Sequence, residues 1–167
     1  MAEKTKNGNN TKTQSIKKTL LDYIYTLGNK QAIECVEVTK YLLNHIQEKY
    51  QFGDDIVLAL EEREAFNIKI HKPVKEIVDP AITRDAKANL EEQNNLIYQA
   101  QIKKYVDREV AYSQNVKKAY SLLFKQCAKT LKEMIKRQAD FKTRIKGNGI
   151  KLLKTFEALC MNYKTTK

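Results

Sequence analysis

Apolar side chains recur along most of this chain at intervals of three and four, the period of an α-helix with one buried face. Ile16, Leu20, Ile24 and Leu27 keep that period after Ser15, a residue suited to an N-cap, and Gly28-Asn29 can adopt the left-handed conformation of a helix end. A second helix is predicted over about 30–50, with Ile33, Val36, Leu43, Ile46 and Tyr50 as its stripe. Phe52-Gly53 interrupts the pattern, and Asp54 is placed to cap a third helix through Ile56, Val57 and Leu60. From 85 to 137 there is neither Gly nor Pro, and Leu90, Ile97, Tyr105, Tyr112, Val116, Tyr120, Leu123, Cys127, Leu131 and Met134 keep helical spacing. That is long for one globular helix, so a break is predicted, with Ser113 capping the second piece. Gly147-Asn148-Gly149 reads as a turn before a last helix carrying Ile150, Leu153, Phe156, Cys160 and Tyr163 on one side.

Two stretches lack this period. Residues 1–14 are polar and rich in Asn, Thr and Lys, which predicts a disordered basic arm. The run FNIKIHKPVKEIVDPAIT (66–83) holds both prolines, Pro73 and Pro80, whose fixed φ favours an extended connection; a short strand or hairpin inside it stays open. Five Gly and two Pro are too few to turn the chain of a sandwich or barrel. The expected fold is all-α: about six helices in a helical bundle with one proline-containing connector. Its parts are the arm (1–14), an N-terminal helical subdomain (15–65), the connector (66–84), and a C-terminal helical subdomain (85–167) packed on the first.

Charge changes the picture more than composition does. The net charge is +11, but residues 31–100 carry eight basic and thirteen acidic side chains, whereas 101–167 carry seventeen basic and five acidic. A molecule so divided is expected to bind polyanions, to attract its own copies head to tail, or both. The cations concentrate at Lys117, Lys118, Lys125, Lys129, Lys132, Lys136, Arg137, Lys142, Arg144, Lys146, Lys151 and Lys154. Lys118, Lys125, Lys129, Lys132 and Lys136 follow at steps of seven, four, three and four, which would align them on one helix face suited to tracking phosphates without reading bases. A merely solvated Lys-rich face is the competing reading. Most tyrosines sit at core spacing, so they are not read as base-stacking platforms.

Catalytic chemistry finds little support. Asp54-Asp55 are adjacent on a helix and so face different ways, and acids in a first turn offset the helix dipole. Glu61, Glu62 and Glu64 read as a solvated face. No ExxH pair marks a carboxylate-bridged metal centre, and His45 and His71 lie in separate elements without a cysteine at ligand spacing. No phosphate-binding GxxxxGK[ST] loop is present, and the Gly-Asn-Gly at 147–149 is only a turn. Cys35, Cys127 and Cys160 form no CxxC pair and are expected to be reduced and buried. No apolar run reaches the roughly 18 residues of a membrane span, and the N-terminus has no hydrophobic signal core. The expectation is a non-enzyme with no cofactor, metal, membrane or small-molecule substrate, in the cytoplasm with the nucleus also open.

The run KKAYSLLFKQCAKTLKEMIKR (117–137) resembles a segment of the Gag polyproteins of copia-type LTR retrotransposons, above all the divergent copia-like elements of microalgae. The pattern there is approximately K-x-A-Y-x-L-I-W-G-Q-C-S-x-x-M-x-x-K-L, and Ala119, Tyr120, Leu122, Gln126, Cys127, Lys129 and Lys136 stand in corresponding surroundings. Phe124-Lys125 replaces the usual Trp-Gly, keeping an aromatic and adding a charge. The stretches 24–56, 71–108 and 140–163 are similar, in order, to the family's early helices, its proline-containing linker with the helix after it, and its closing turn and helix. The resemblance covers about 15–165.

The resemblance implies a capsid-like, all-helical structural protein without an active site, of the kind that assembles into particles and packages RNA. The zinc knuckle and the protease motif of such polyproteins are absent from this sequence, and the chain ends near where an N-terminal capsid lobe would finish. On this reading it self-associates and contacts RNA without sequence preference through Lys118, Lys125, Lys129, Lys132, Lys136, Arg137, Arg144 and Lys146. Phe66, Ile68 and Ile70, which lack an evident helical partner, are the expected self-association residues. The alternative is a monomeric basic helical adaptor that binds nucleic acid or an acidic protein. Whether the origin is mobile or domesticated stays open.

Overall fold

The computed structural model describes residues 19, 24–26, 31–81 and 83–162. The expected basic arm and most of the helix predicted over 15–27 lie outside those residues. Five α-helices follow in order: α1 (Gln31–Lys49), α2 (Gly53–Glu62), α3 (Arg84–Lys125), α4 (Lys129–Lys136) and α5 (Gly149–Asn162). A 3₁₀ turn (Ile68–His71) opens the connector and a π-helical turn (Phe141–Ile145) links α4 to α5. The fold is all-α, and no β-strand occurs among the described residues.

The core is one cluster. Leu42, Ile46, Ile56 and Leu60 from α1 and α2 join Ala119, Leu123, Leu131 and Ile135 from the C-terminal half of α3 and from α4, and Leu152, Leu153 and Phe156 from α5 complete it. α5 packs chiefly against α3, α1 against α2, and α5 also touches both of the latter. Two glycines permit the closest approaches. A Cβ on Gly53 would stand 2.6 Å from the Gln47 carbonyl oxygen, and one on Gly149 would stand 2.8 Å from the Tyr120 nitrogen. These contacts fold α2 against α1 and seat the start of α5 on α3.

Polar clamps complete the frame. Asp55, buried in the first turn of α2, accepts two hydrogen bonds from Arg108 on α3, the Nε–Oδ2 one at 2.6 Å. The buried Asn115 donates from Nδ2 to the Gln51 carbonyl at 2.7 Å, so α3 also grips the turn between α1 and α2. Arg63 closes α2 in the left-handed conformation (φ 59°) and holds Glu157 of α5 by a bidentate ion pair.

Several expectations are corrected. The helix predicted to run through Leu27 does not include residues 24–26, where Tyr25 forms an isolated parallel bridge with Cys127. Its N–H donates to the Gln126 carbonyl at 2.8 Å and its carbonyl accepts from the Ala128 N–H at 2.9 Å. That bridge sits where the long helix stops, so the break falls at 126–128 and not at Ser113, which lies inside a continuous 42-residue α3. α1 buries Cys35, Val38, Thr39, Leu42, Leu43 and Ile46, leaving Ile33 and Val36 exposed. Asp54 is inside α2 rather than its cap; Phe52 takes that place at φ 53° and makes no side-chain capping bond.

The connector is extended around its 3₁₀ turn, but it does not present three apolar side chains to solvent. Ile68 is buried, and Phe66 is half-buried against the core, ringed by His71, Tyr112 and Arg108. The Phe66 N–H donates to the Tyr112 hydroxyl at 2.8 Å, which pulls this start of the connector inward. Of the expected self-association residues only Ile70 is exposed.

Candidate functional site

α4 shows how the sequence produces a basic surface. In KTLKEMIK the buried positions are Leu131 and Ile135, one turn apart, so one narrow stripe anchors the helix. Lys129, Lys136 and the following Arg137 remain exposed, and Lys132 is half-buried. Over 117–154 the chain holds twelve Lys and Arg against two acids, Glu133 and Asp140. Among the described residues the ion pairs are Arg63–Glu157 and Arg108–Asp55, and neither involves one of those twelve cations.

The predicted row of five lysines does not lie on one helix. Lys118 and Lys125 belong to α3, while Lys129, Lys132 and Lys136 belong to α4, beyond the break at 126–128. Several of these lysines contact the protein's own groups. The Lys132 ammonium donates to the Lys125 carbonyl at 3.1 Å, where the negative end of the α3 dipole welcomes a cation. Lys132 and Lys136 each stand 5.9 Å from the Phe124 ring centroid, and Lys118 stands 5.9 Å from that of Tyr50. Arg137 ends α4, and Lys146, exposed, ends the π-turn.

The cations that do converge lie one step further along. Arg144 of the π-turn and Lys151 and Lys154 of α5 line a cleft of about 320 Å³, together with Gln138, Asp140 and Thr155. Buried Ile145 pins the π-turn, and Gly149 pins the start of α5, so both cation-bearing elements are rooted in the core. Lys151 and Lys154 belong to the longer basic run, but only the turn at 147–149 brings them opposite Arg144. Periodicity within a single helix carries no signal of that pairing.

The charges at the helix starts differ along the chain. α1, α2 and α3 carry acids in their first turns (Glu34; Asp54 and Asp55; Asp85), as the positive end of a helix dipole favours. α4 and α5 have no acid there, and α4 opens on Lys129 and Lys132, α5 on Lys151. A charge against the dipole costs on the order of 0.3–1 kcal/mol when exposed. The basic half is thus electrostatically unrelieved by the protein itself.

Other candidates carry less chemistry. A cleft of about 370 Å³ beside α1 has an apolar wall of Cys35, Val36 and Leu43 and a polar rim that includes the Arg63–Glu157 pair. Among the described residues no group of three or more His, Cys, Asp and Glu could hold a metal ion, and no helix is long and apolar enough to cross a membrane. Burial raises the hydroxyl pKa of Tyr25, Tyr50, Tyr112 and Tyr120, which keeps them neutral. Cys35 and Cys127 are buried, and the Cys127 thiol donates to the Leu123 carbonyl at 3.2 Å; the side chain of Cys160 lies outside those described. No protein-family model, curated protein or solved structure matches the chain in comparisons with known proteins.

Proposed function

We propose that this chain is a structural, all-helical protein of the capsid type that its resemblance to copia-type Gag implies, contacting RNA through the α4–α5 half and associating with its own copies. The observation that carries this reading is the charge of that half: twelve cations over 117–154, none in an ion pair among the described residues and several set against helix dipoles. Phosphate backbones relieve such charge without demanding base contacts. Phe124 and Phe141 are half-buried against the core, so the aromatic stacking that reads single-stranded bases is not the main contact.

Self-association is assigned to a different surface from the one first expected. Burial of Ile68 and Phe66 removes two of its three residues. The exposed aliphatics are instead Val74 and Ile77 of the connector and Leu96, Ile97, Val106 and Val110 along the first two thirds of α3. Scattered apolar residues are ordinary on surfaces, and this spread favours weak association over a stable dimer. A monomeric adaptor is the second reading, and the loss of the connector triad speaks for it.

Light scattering on the full chain with and without single-stranded RNA separates the two. The proposal expects a monomer at micromolar concentration in moderate salt, and larger species as salt falls or RNA is added. One unchanging monomer that binds RNA one to one would leave the adaptor, and no RNA binding at all would remove both nucleic-acid readings.

A further inference from the structure

The cleft between the π-turn and α5 has a composition that the fold alone does not require. Its cationic wall is Arg144, Lys151 and Lys154, and Asp140 is its one acid, so its side chains sum to a net positive charge. No ion pair joins Asp140 to any of the three. The Asp140 carbonyl is occupied, accepting from the Arg144 N–H at 2.9 Å and the Thr143 hydroxyl at 3.3 Å. The Thr155 hydroxyl is likewise turned to the Lys151 carbonyl at 2.8 Å. The three cationic heads are therefore the groups left for a ligand.

Helix-end amides are not the attraction. Asn148 caps α5, its Oδ1 accepting from the Lys151 N–H at 3.1 Å. What the end of α5 contributes is a penalty: Lys151 stands where the dipole disfavours a cation, and Lys154 follows on the same side one turn later. An anion seated between these lysines and Arg144 relieves that repulsion. Arg144 is carried by a π-turn, a rare backbone form often found at functional sites. A guanidinium grips two phosphate oxygens at once, and the lysines add point charge. The cleft wall holds no aromatic ring, so it has no ring platform on which a base could stack.

We propose that this cleft is a phosphate-binding site, in which Arg144, Lys151 and Lys154 seat a backbone phosphate of single-stranded RNA. The assignment rests on the RNA reading above and makes it local. Lys118, Lys129 and Lys136 then act as a diffuse attractive surface, and the cleft fixes where the strand lies.

The test compares two triple variants of equal net charge in the full chain. Arg144→Gln/Lys151→Gln/Lys154→Gln empties the cleft, and Lys129→Gln/Lys136→Gln/Arg137→Gln thins the outer face of α4. Binding of a fluorescent oligouridylate is read by anisotropy across a salt series, and inorganic tripolyphosphate is titrated while the melting temperature is followed. The cleft variant should weaken RNA binding about tenfold more than the α4 variant. It should also flatten the slope of log affinity against log salt by about two, at roughly 0.7 per lost phosphate contact on a single strand. Tripolyphosphate should raise the melting temperature of wild type and of the α4 variant, and leave that of the cleft variant unmoved. Unliganded, the cleft variant should melt no lower than wild type, because a charge opposed to the dipole has gone; this also shows that it folds. Equal weakening by both variants overturns the cleft while the RNA reading stands. Tripolyphosphate bound at the cleft without any RNA binding overturns RNA as the source of the phosphate, and binding of neither removes the cleft and the RNA reading together.

Discussion

Asp55 and Arg108 join α2 to α3, and the pair is asymmetric in burial: the Asp55 side chain is 6% exposed and that of Arg108 27%. The hydrogen bonds to Asp55 hold the Arg108 guanidinium above its ordinary pKa. Arg108→Ala would leave a buried carboxylate without its partner, a loss of about 2–3 kcal/mol in chemical denaturation, whereas Asp55→Asn should cost less because Arg108 still reaches water. Tyr25 gives a pH signature. Its hydroxyl, hydrogen-bonded to Thr39 at 2.9 Å, is nine-tenths or more enclosed, and burial pushes its pKa far above the ordinary 10.0. The folded pKa is raised, so this contribution is whole below about pH 10. It is then lost as pH rises, by about 1.4 kcal/mol per unit, because only the unfolded chain ionises there. Tyr25→Phe should lower stability near neutrality by about 1 kcal/mol through the missing hydrogen bond, and should make the alkaline decline shallower. An unchanged alkaline slope in that variant would contradict the enclosure of Tyr25.

At the scale of elements, much was legible and the failures share one cause. Period and punctuation placed α1 within a residue of its observed ends, the Gly-Asn-Gly turn before α5, and the proline connector. What escaped was non-local. α3 passes Ser113 without interruption because its buried residues Ala111, Asn115, Ala119 and Leu123 continue the stripe at steps of four across that point. It stops where the segment at 24–26 takes the backbone groups of Gln126 and Ala128, a partner about a hundred residues away that no local pattern announces. The face of α1 was misplaced for the same reason, since Thr39 is buried by Tyr25 from that segment. The lysine row failed in turn because the break divides it.

Two element-scale predictions follow from the packing. Leu123→Ala, at a fully buried site between α3 and α5, should lower stability by about 2–5 kcal/mol in denaturant titration. Gly149→Ala should destabilise by about 1–3 kcal/mol despite alanine's better helix propensity, because the new methyl meets the α3 backbone at 2.8 Å. If that variant melts higher than wild type, the seat of α5 on α3 is wrong. α3 itself should behave as two halves in hydrogen exchange. Its buried residues begin at Ala111, so amides from about 111 to 125 should exchange only by global unfolding, and those before about 105 by cheaper local opening.

For the whole molecule, charge is the organising quantity. The acidic 31–100 region builds α1, α2, the connector and the start of α3, and the basic 101–167 region supplies the rest of α3, α4 and α5. Contact between unlike regions of two copies is heterologous and repeats instead of closing on a dimer. At physiological salt the Debye length of about 8 Å weakens such attraction, so it should need low salt, high concentration or a polyanion to bridge the copies. The claim on which the account turns is that the basic half binds phosphate backbones. Its most direct test is the affinity of the full chain for a single-stranded RNA of fixed length, measured from about 50 to 200 mM salt. The account predicts a straight, steep fall of log affinity with log salt, with a slope of about −2 or steeper, alike for RNAs of unrelated sequence. No binding at the lowest salt, or an affinity indifferent to salt, would contradict it.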